Sequence, residues 1–234
     1  MRVGNSILPS FPRTLMAIFF SLRCSQVFRL IGHILGTGTW EQRKLKEITS
    51  VIKDGTHGTH GTHIEHYGAY LLSAKNILSN RIVYSKNDRQ ISINDFNKIY
   101  KGYSLNDGDF LLTIVGTIGR TAIYRQSKDK IAFQRSVAII RGKEEIIDNY
   151  FLMFSFQLPT IKKILQRVTS ISAQPGIYLR DLSNIEVWYP VISEQQKIIA
   201  LLKNICNLIA ANEQVPKLVI KIVKNFLANS LHLN

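Results

Sequence analysis

Two spacings of apolar residues divide this chain. Up to Ile140 they come in short β-branched runs bounded by turn residues, whereas beyond Asp148 they recur at helical intervals. Ile48 to Ile52 reads as a strand. It breaks at Asp54 to His63, a tandem Gly-Thr-His repeat. Tyr70 to Leu72 resumes the apolar character, and Ala74 to Asn80 reads as a loop. Asn106-Asp107-Gly108-Asp109 is a dense turn signal, so the continuous apolar run from Phe110 to Val115 reads as a buried strand. Gly116 and Gly119 flank a tight reversal. Thr121 to Tyr124 and Ile131 to Ile140 then predict two more strands of a mixed sheet. Asp148 to Leu158 and Thr160 to Val168 predict two helices packed beside it, with Pro159 breaking the run because it lacks an amide donor.

After Pro190 the pattern changes again. Ser193 and Gln196 have the spacing of a capping box, which starts a helix. Ile198, Leu202, Ile205 and Ile209 follow at intervals of four, three and four, the seam of a coiled coil, and Val219, Val223 and Phe226 resume it. Asn212 and Pro216 interrupt the seam, so a kink or helix-turn-helix is expected near 213–216. The predicted organisation is an atypical leader over 1–39, an α/β (α+β) domain with a mixed twisted sheet over 40–190, and a coiled-coil-like helical arm over 191–234.

Charge adds a class of partner. Thirty Lys and Arg against sixteen Asp and Glu leave a formal +14, which attracts polyanions such as nucleic acid. The apolar run Leu15 to Leu22 imitates a secretory signal but ends at Arg23. It is shorter than the roughly 20 residues a membrane span needs, so it is not read as a span and no membrane partner is expected; a membrane-surface protein that combines this leader with the basic body is a rival reading. The two cysteines, Cys24 and Cys206, lie far apart and form no framework, which fits a reducing cytoplasm.

Five segments together resemble the specificity subunit of type I restriction-modification systems. They are Trp40-Glu-Gln-Arg-Lys-Leu45, Asp54-Gly-Thr-His57, Leu72-Ser-Ala-Lys-Asn-Ile77, Gly108-Asp-Phe-Leu-Leu-Thr-Ile-Val-Gly-Thr-Ile-Gly119 and Ile192-Ser-Glu-Gln-Gln-Lys-Ile198. The leader, Pro216 and the repeated Gly-Thr-His depart from the family pattern. The resemblance implies a non-catalytic target recognition domain that reads one half of an interrupted site in double-stranded DNA. It also implies docking to a modification (methyltransferase) subunit and a restriction subunit, which bring S-adenosylmethionine, ATP and Mg; no cofactor is expected on this chain. Either a second copy or another single-domain subunit supplies the other half, or the gene is a degraded, non-functional fragment.

Base reading needs polar side chains delivered to groove edges, and loops rich in Lys, Arg, Asn, Gln, Thr and His can deliver them. The candidates are Lys53, Thr56, His57, Thr59 and His60 in the first loop and Lys75 and Asn76 in the second, followed by Arg120, Gln134, Arg135, Gln174, Tyr178 and Arg180. Asp54 to Thr56 is expected to shape a turn, with Gly55 at positive φ. A rival reading takes His57, His60, His63 and His66 with Glu65 as a metal site of a nuclease. Against it, a three-residue interval turns alternate residues to opposite faces of a strand, and no cysteine or second carboxylate completes the set.

Overall fold

A computed structural model describes residues 2–3, 40–61, 68–171, 174–208 and 211. Strand β1 (Arg2–Val3) comes first, and after Trp40 the chain runs β2 (Glu41–Lys44), α1 (Leu45–Ile48), β3 (Thr49–Asp54), β4 (Ala69–Leu72), β5 (Ile77–Leu78) and β6 (Arg81–Tyr84). Next come β7 (Gln90–Ile91), α2 (Ile93–Ile99), β8 (Phe110–Thr113), β9 (Thr121–Ile123), β10 (Ile131–Phe133) and β11 (Val137–Gly142). The chain continues through α3 (Asn149–Phe156), α4 (Pro159–Val168), α5 (Leu179–Ser183) and β12 (Glu186–Tyr189), and helix α6 covers 192–208.

The apolar runs at 110–113 and 137–140 lack a polar face because the sheet they build is covered on both sides. That sheet has the order β3-β11-β8-β9 and is antiparallel throughout. Phe110, Leu112, Ala138 and Ile140 face a core shared with α1, α3, α4, α5 and α6. Leu111, Val137 and Ile139 face a second core with Leu72, Ile77, Ile82, Ile131 and Phe133. Beyond that core lies the mixed sheet β10-β4-β7, in which β4 runs parallel to β10 and antiparallel to β7, with α2 against its outer side. The remaining strands form the small sheets β1-β6-β5 and β12-β2. Trp40 packs its ring on Phe151 at 6.0 Å, which joins the start of the domain to α3.

Several expectations change in the folded chain. Ile131 to Ile140 is two strands, because the turn at Gln134–Ser136 sends β11 into the other sheet. Ala74–Asn76 is a 3₁₀ turn and Ile77–Leu78 a strand, joined to β6 by Ser79 and Asn80, both at positive φ as a tight two-residue hairpin requires. Pro159 opens α4 at a position where no amide is needed, so it starts a helix as well as separating two. Gly116 and Gly119 do hold the positive φ of the reversal after β8.

The largest correction concerns α6. The Gln195 amide donates to Val191 O, so the helix opens there and Ser193 lies within its first turn instead of capping it. Ile198, Ile199 and Leu202 belong to the domain's own core, Cys206 is buried too, and Ile205 is half-buried. Two adjacent positions followed by i+3 and i+4 partners make a broad globular face, where a coiled-coil seam would have been narrow. Ile198 and Leu202 are therefore internal contacts, not partner contacts. Ile209, Val219, Val223, Phe226, the expected kink near Pro216 and the leader run Leu15 to Leu22 lie outside the described residues. Among the described residues, no helix is long and apolar enough to cross a membrane.

Burial also sets the chemistry of Cys206, which is 1 % exposed and whose thiol is pushed up to about 11 by desolvation. Only about one thiol in a thousand is then ionised at pH 8, and the thiolate is the reactive form. Native protein is expected to leave Cys206 unmodified by iodoacetamide at that pH and to alkylate it fully in urea. Peptide mass spectrometry reads both states; full alkylation of the native protein would show that α6 does not stay docked.

Candidate nucleic-acid interface

Strand direction builds the site. β3 and β8 are each antiparallel to β11, so they run the same way, and β4 runs with β10. A parallel bridge between Thr56 and Gln134 aligns the two pairs. The C-terminal ends of β3, β4, β8 and β10 therefore leave the two sheets at one end of the domain.

Their exit loops are laced together by hydrogen bonds. Thr56 N donates to Phe133 O at 2.8 Å and Arg135 N to Thr56 O at 3.1 Å. Gln134 N donates to Leu72 O at 2.8 Å, and Ala74 N to Ser136 Oγ at 3.0 Å. Ile114 N donates to Ser136 O at 2.9 Å, and Ile177 N to Ile114 O at 2.8 Å. A fifth segment, around Gly176, is thereby added beside Val115. The result is one continuous rim made of 55–61, 134–136, 73–76, 114–120 and 174–178.

Most of the sequence candidates meet on this rim. His57 and Thr59 are exposed in the first loop, where His57 Nε2 lies 2.6 Å from Asp54 Oδ2 and His60 Nε2 lies 2.9 Å from Thr56 Oγ1. Gln134 is half-buried and Arg135 exposed on the central turn. Lys75 is exposed and pairs with Asp88 at 3.3 Å. Arg120 stands where the β8–β9 loop returns, its Nη1 3.4 Å from Ile77 O. Gln174 and Tyr178 are exposed at the far end. Two candidates sit just off the rim: Lys53 lies within β3 with its ammonium 4.6 Å from the Tyr103 ring centre, and Arg180 lies on α5 as it leads away.

Asn76 does not belong with the base-reading candidates. It is 4 % exposed, its Nδ2 donates to Val83 O at 3.0 Å and Asp88 Oδ1 at 2.9 Å, and its Oδ1 accepts the Ser73 amide at 3.0 Å. Its amide group holds the second loop in shape. Partial burial acts to raise the Asp88 carboxyl, but hydrogen bonds from Asn76 and the Ser85 amide, with the Lys75 ammonium, outweigh it and hold the group below the usual carboxylate range. Gly55 also has a different role from the expected one. Its φ is not positive; instead a Cβ there would lie 2.1 Å from Phe133 O, so only glycine lets β3 pass this close to β10.

Two residues that tie these loops together were not singled out in the sequence. Ser136 is the hub of the lacing, and Arg89 donates its Nη2 to His60 O, tying the repeat loop to the start of β7. The only sequence signal for Ser136 is the polar triplet Gln134-Arg135-Ser136 between two apolar runs. Of the imidazoles in the rival metal reading, His57 and His60 turn to different partners, and His63, Glu65 and His66 lie outside the described residues. No group of three or more His, Cys, Asp or Glu positioned for a metal occurs among the described residues.

A rigid double sheet that presents basic, amide, hydroxyl and imidazole groups from laced loops at one end defines a recognition domain of α/β class. The family described as Type I restriction modification DNA specificity domain matches residues 37–220, and the chain belongs to that family. It is 27 % identical over 197 residues to the type I restriction enzyme MjaIX specificity subunit of Methanocaldococcus jannaschii, covering 80 % of this chain and 43 % of the relative. It is 32 % identical over 120 residues to the EcoBI specificity subunit of Escherichia coli, covering 48 % of this chain and 25 % of the relative. The chain thus spans less than half the length of these relatives. Its fold is similar to a chain from a solved type I R-M system (TM-score 0.55, 17 % identity, 92 % of this chain and 54 % of that one). It is also similar to the HsdS subunit of Thermoanaerobacter tengcongensis (TM-score 0.51, 14 % identity, 87 % of this chain and 48 % of that one).

Proposed function

We propose that this domain reads one half of a split target in double-stranded DNA and chooses the site for modification and restriction subunits that carry the chemistry. A second domain of the same kind, for which a second copy of this chain is one source, reads the other half. The observation that carries the reading is the rim: four strands end together and support Thr59, Lys75, Gln134 and Arg135 on loops whose backbones are bonded to one another. Guanidinium and amide groups pair with two acceptors, or a donor and an acceptor, on a base edge, and a net charge of +14 draws the duplex in.

In this reading S-adenosylmethionine, ATP and Mg bind to the partner subunits, the chain itself is not a catalyst, and the complex works in the cytoplasm. Binding by the chain together with its modification subunit is expected to weaken steeply between 50 and 200 mM salt, by ~10³-fold or more if about six phosphates are neutralised. The ratio of cognate to scrambled duplex is expected to survive the same change. Fluorescence anisotropy with competitor DNA measures both. Equal affinity for every duplex at every salt concentration would sink the proposal.

A further inference from the structure

Gln195 is the one fully buried amide in the first turns of α6, and all of its polar atoms are engaged. Its Nε2 donates to Ile146 O and Pro190 O, each at 2.8 Å, and its Oε1 accepts the Asp148 amide at 2.9 Å. These three partners come from the loop before α3 and from the exit of β12. The Asp148 side chain in turn caps α3 by accepting from Tyr150 N at 2.7 Å. One side chain therefore joins α6 to two other elements at a single point.

The rest of the contact is apolar, made by Ile198, Ile199, Leu202 and Cys206, except that the Lys203 ammonium lies over the Tyr150 ring of α3, 3.7 Å from its centre, an attraction to a ring face that fixes position less sharply than a hydrogen bond. Apolar burial stabilises without specifying direction, so such a face holds the helix down but sets its exact register and angle less sharply than directional bonds do. Three directional bonds in a buried, low-dielectric site admit one register, and each would be left unsatisfied in another.

We propose that Gln195 is a positioning residue that fixes the angle between α6 and the recognition domain, and with it the gap between the two half-sites; the second part rests on the DNA reading above. The lever makes the angle matter. Helix α6 spans 192–208 and is ~25 Å long, so ten degrees in the angle at which it docks displaces one end relative to the other by ~4 Å, more than the ~3.4 Å between base pairs.

The joint is tested on the full chain with Cys24→Ser, carrying nitroxide labels at Asn97→Cys on α2 and Asn207→Cys on α6, both exposed. Pulsed electron-electron double resonance is expected to give a single narrow distance in this background. Gln195→Met, which keeps the bulk and loses the bonds, is expected to broaden or shift it by several ångströms with the domain still folded. Should that variant fail to melt cooperatively, Gln195→Glu serves in its place: broad while the carboxylate is charged, narrowing on acidification as the protonated acid regains a donor. A distance unchanged in both mean and width in the substituted chains overturns the lock.

The second readout is the methylated motif in a host carrying the chain with its modification subunit. Gln195→Met is expected to keep the half-site letters and to yield mixed gap lengths in place of one. A single unchanged gap would separate the joint from site choice. Loss of any motif in the parent itself would count against the DNA reading, while the label distances would still judge the joint.

Discussion

Replacing Arg141 with alanine is expected to lower the free energy of unfolding by about 3–5 kcal/mol, read from urea denaturation followed by tryptophan fluorescence. Asp109, 1 % exposed, sits at the entry to β8, and Arg141 on β11 grips it in two places, Nε to Oδ1 at 2.7 Å and Nη2 to Oδ2 at 2.8 Å. The same Nη2 donates to Ser104 O at 2.9 Å. Alanine removes the cation and leaves a carboxylate in the interior with only the Asn106 amide as a donor, at 2.8 Å. The desolvation that the pair had offset then counts in full. Removing both charges together, as in Asp109→Leu with Arg141→Met, is expected to recover much of the loss, because no uncompensated charge stays behind. A cost below about 1 kcal/mol for Arg141→Ala would mean that water reaches Asp109 as it reaches a surface pair.

Gly55→Ala is expected to cost about 2–3 kcal/mol and to abolish discrimination between duplexes. The added methyl would sit 2.1 Å from Phe133 O, 2.4 Å from Phe133 C and 2.5 Å from Gln134 O, all of them backbone atoms that cannot rotate aside. Relief must come from prying β3 away from β10, which breaks the bonds Thr56 N to Phe133 O and Arg135 N to Thr56 O. The repeat loop and the Gln134–Ser136 turn would then lose their shared register on the rim. Gly102→Ala is the control: nothing lies within 4 Å of its Cβ, so stability should move by no more than about 0.5 kcal/mol. Competition binding that gives the same cognate preference for Gly55→Ala as for the parent would show that the lacing of these two loops does not support base reading.

Legibility in the sequence followed the range of the interaction. The unbroken apolar run at 110–113 and the proline between α3 and α4 are local signals, and both elements formed where they pointed. The seam at Ile198 and Leu202 was local too, but a helix cannot announce whether its apolar face meets another chain or its own domain. Ile199 and Cys206, counted with them, widen the stripe into a core-facing one. Asn76 looked like a base reader because polar loop residues usually are exposed; its burial depends on Val83 and Asp88, which only the β5–β6 hairpin brings back to it. Ser136 carried no distinguishing mark, since its hydroxyl acts on Ala74, sixty-two residues earlier.

The order of apolar and polar residues, with its glycines and prolines, determined by itself which stretches could be strands or helices, that the main strands would be buried, and that the whole would attract a polyanion. Periodicity, turn chemistry and net charge are properties of neighbours or of the sum, and need no fold to be read. Tertiary structure alone decided that four strands end on one side, that Asn76 and Gln195 turn inward while Arg135 stays free to reach out, and that α6 rests on its own domain. Those outcomes depend on strand direction and on hydrogen-bond partners dozens of residues distant, which pairing in space selects.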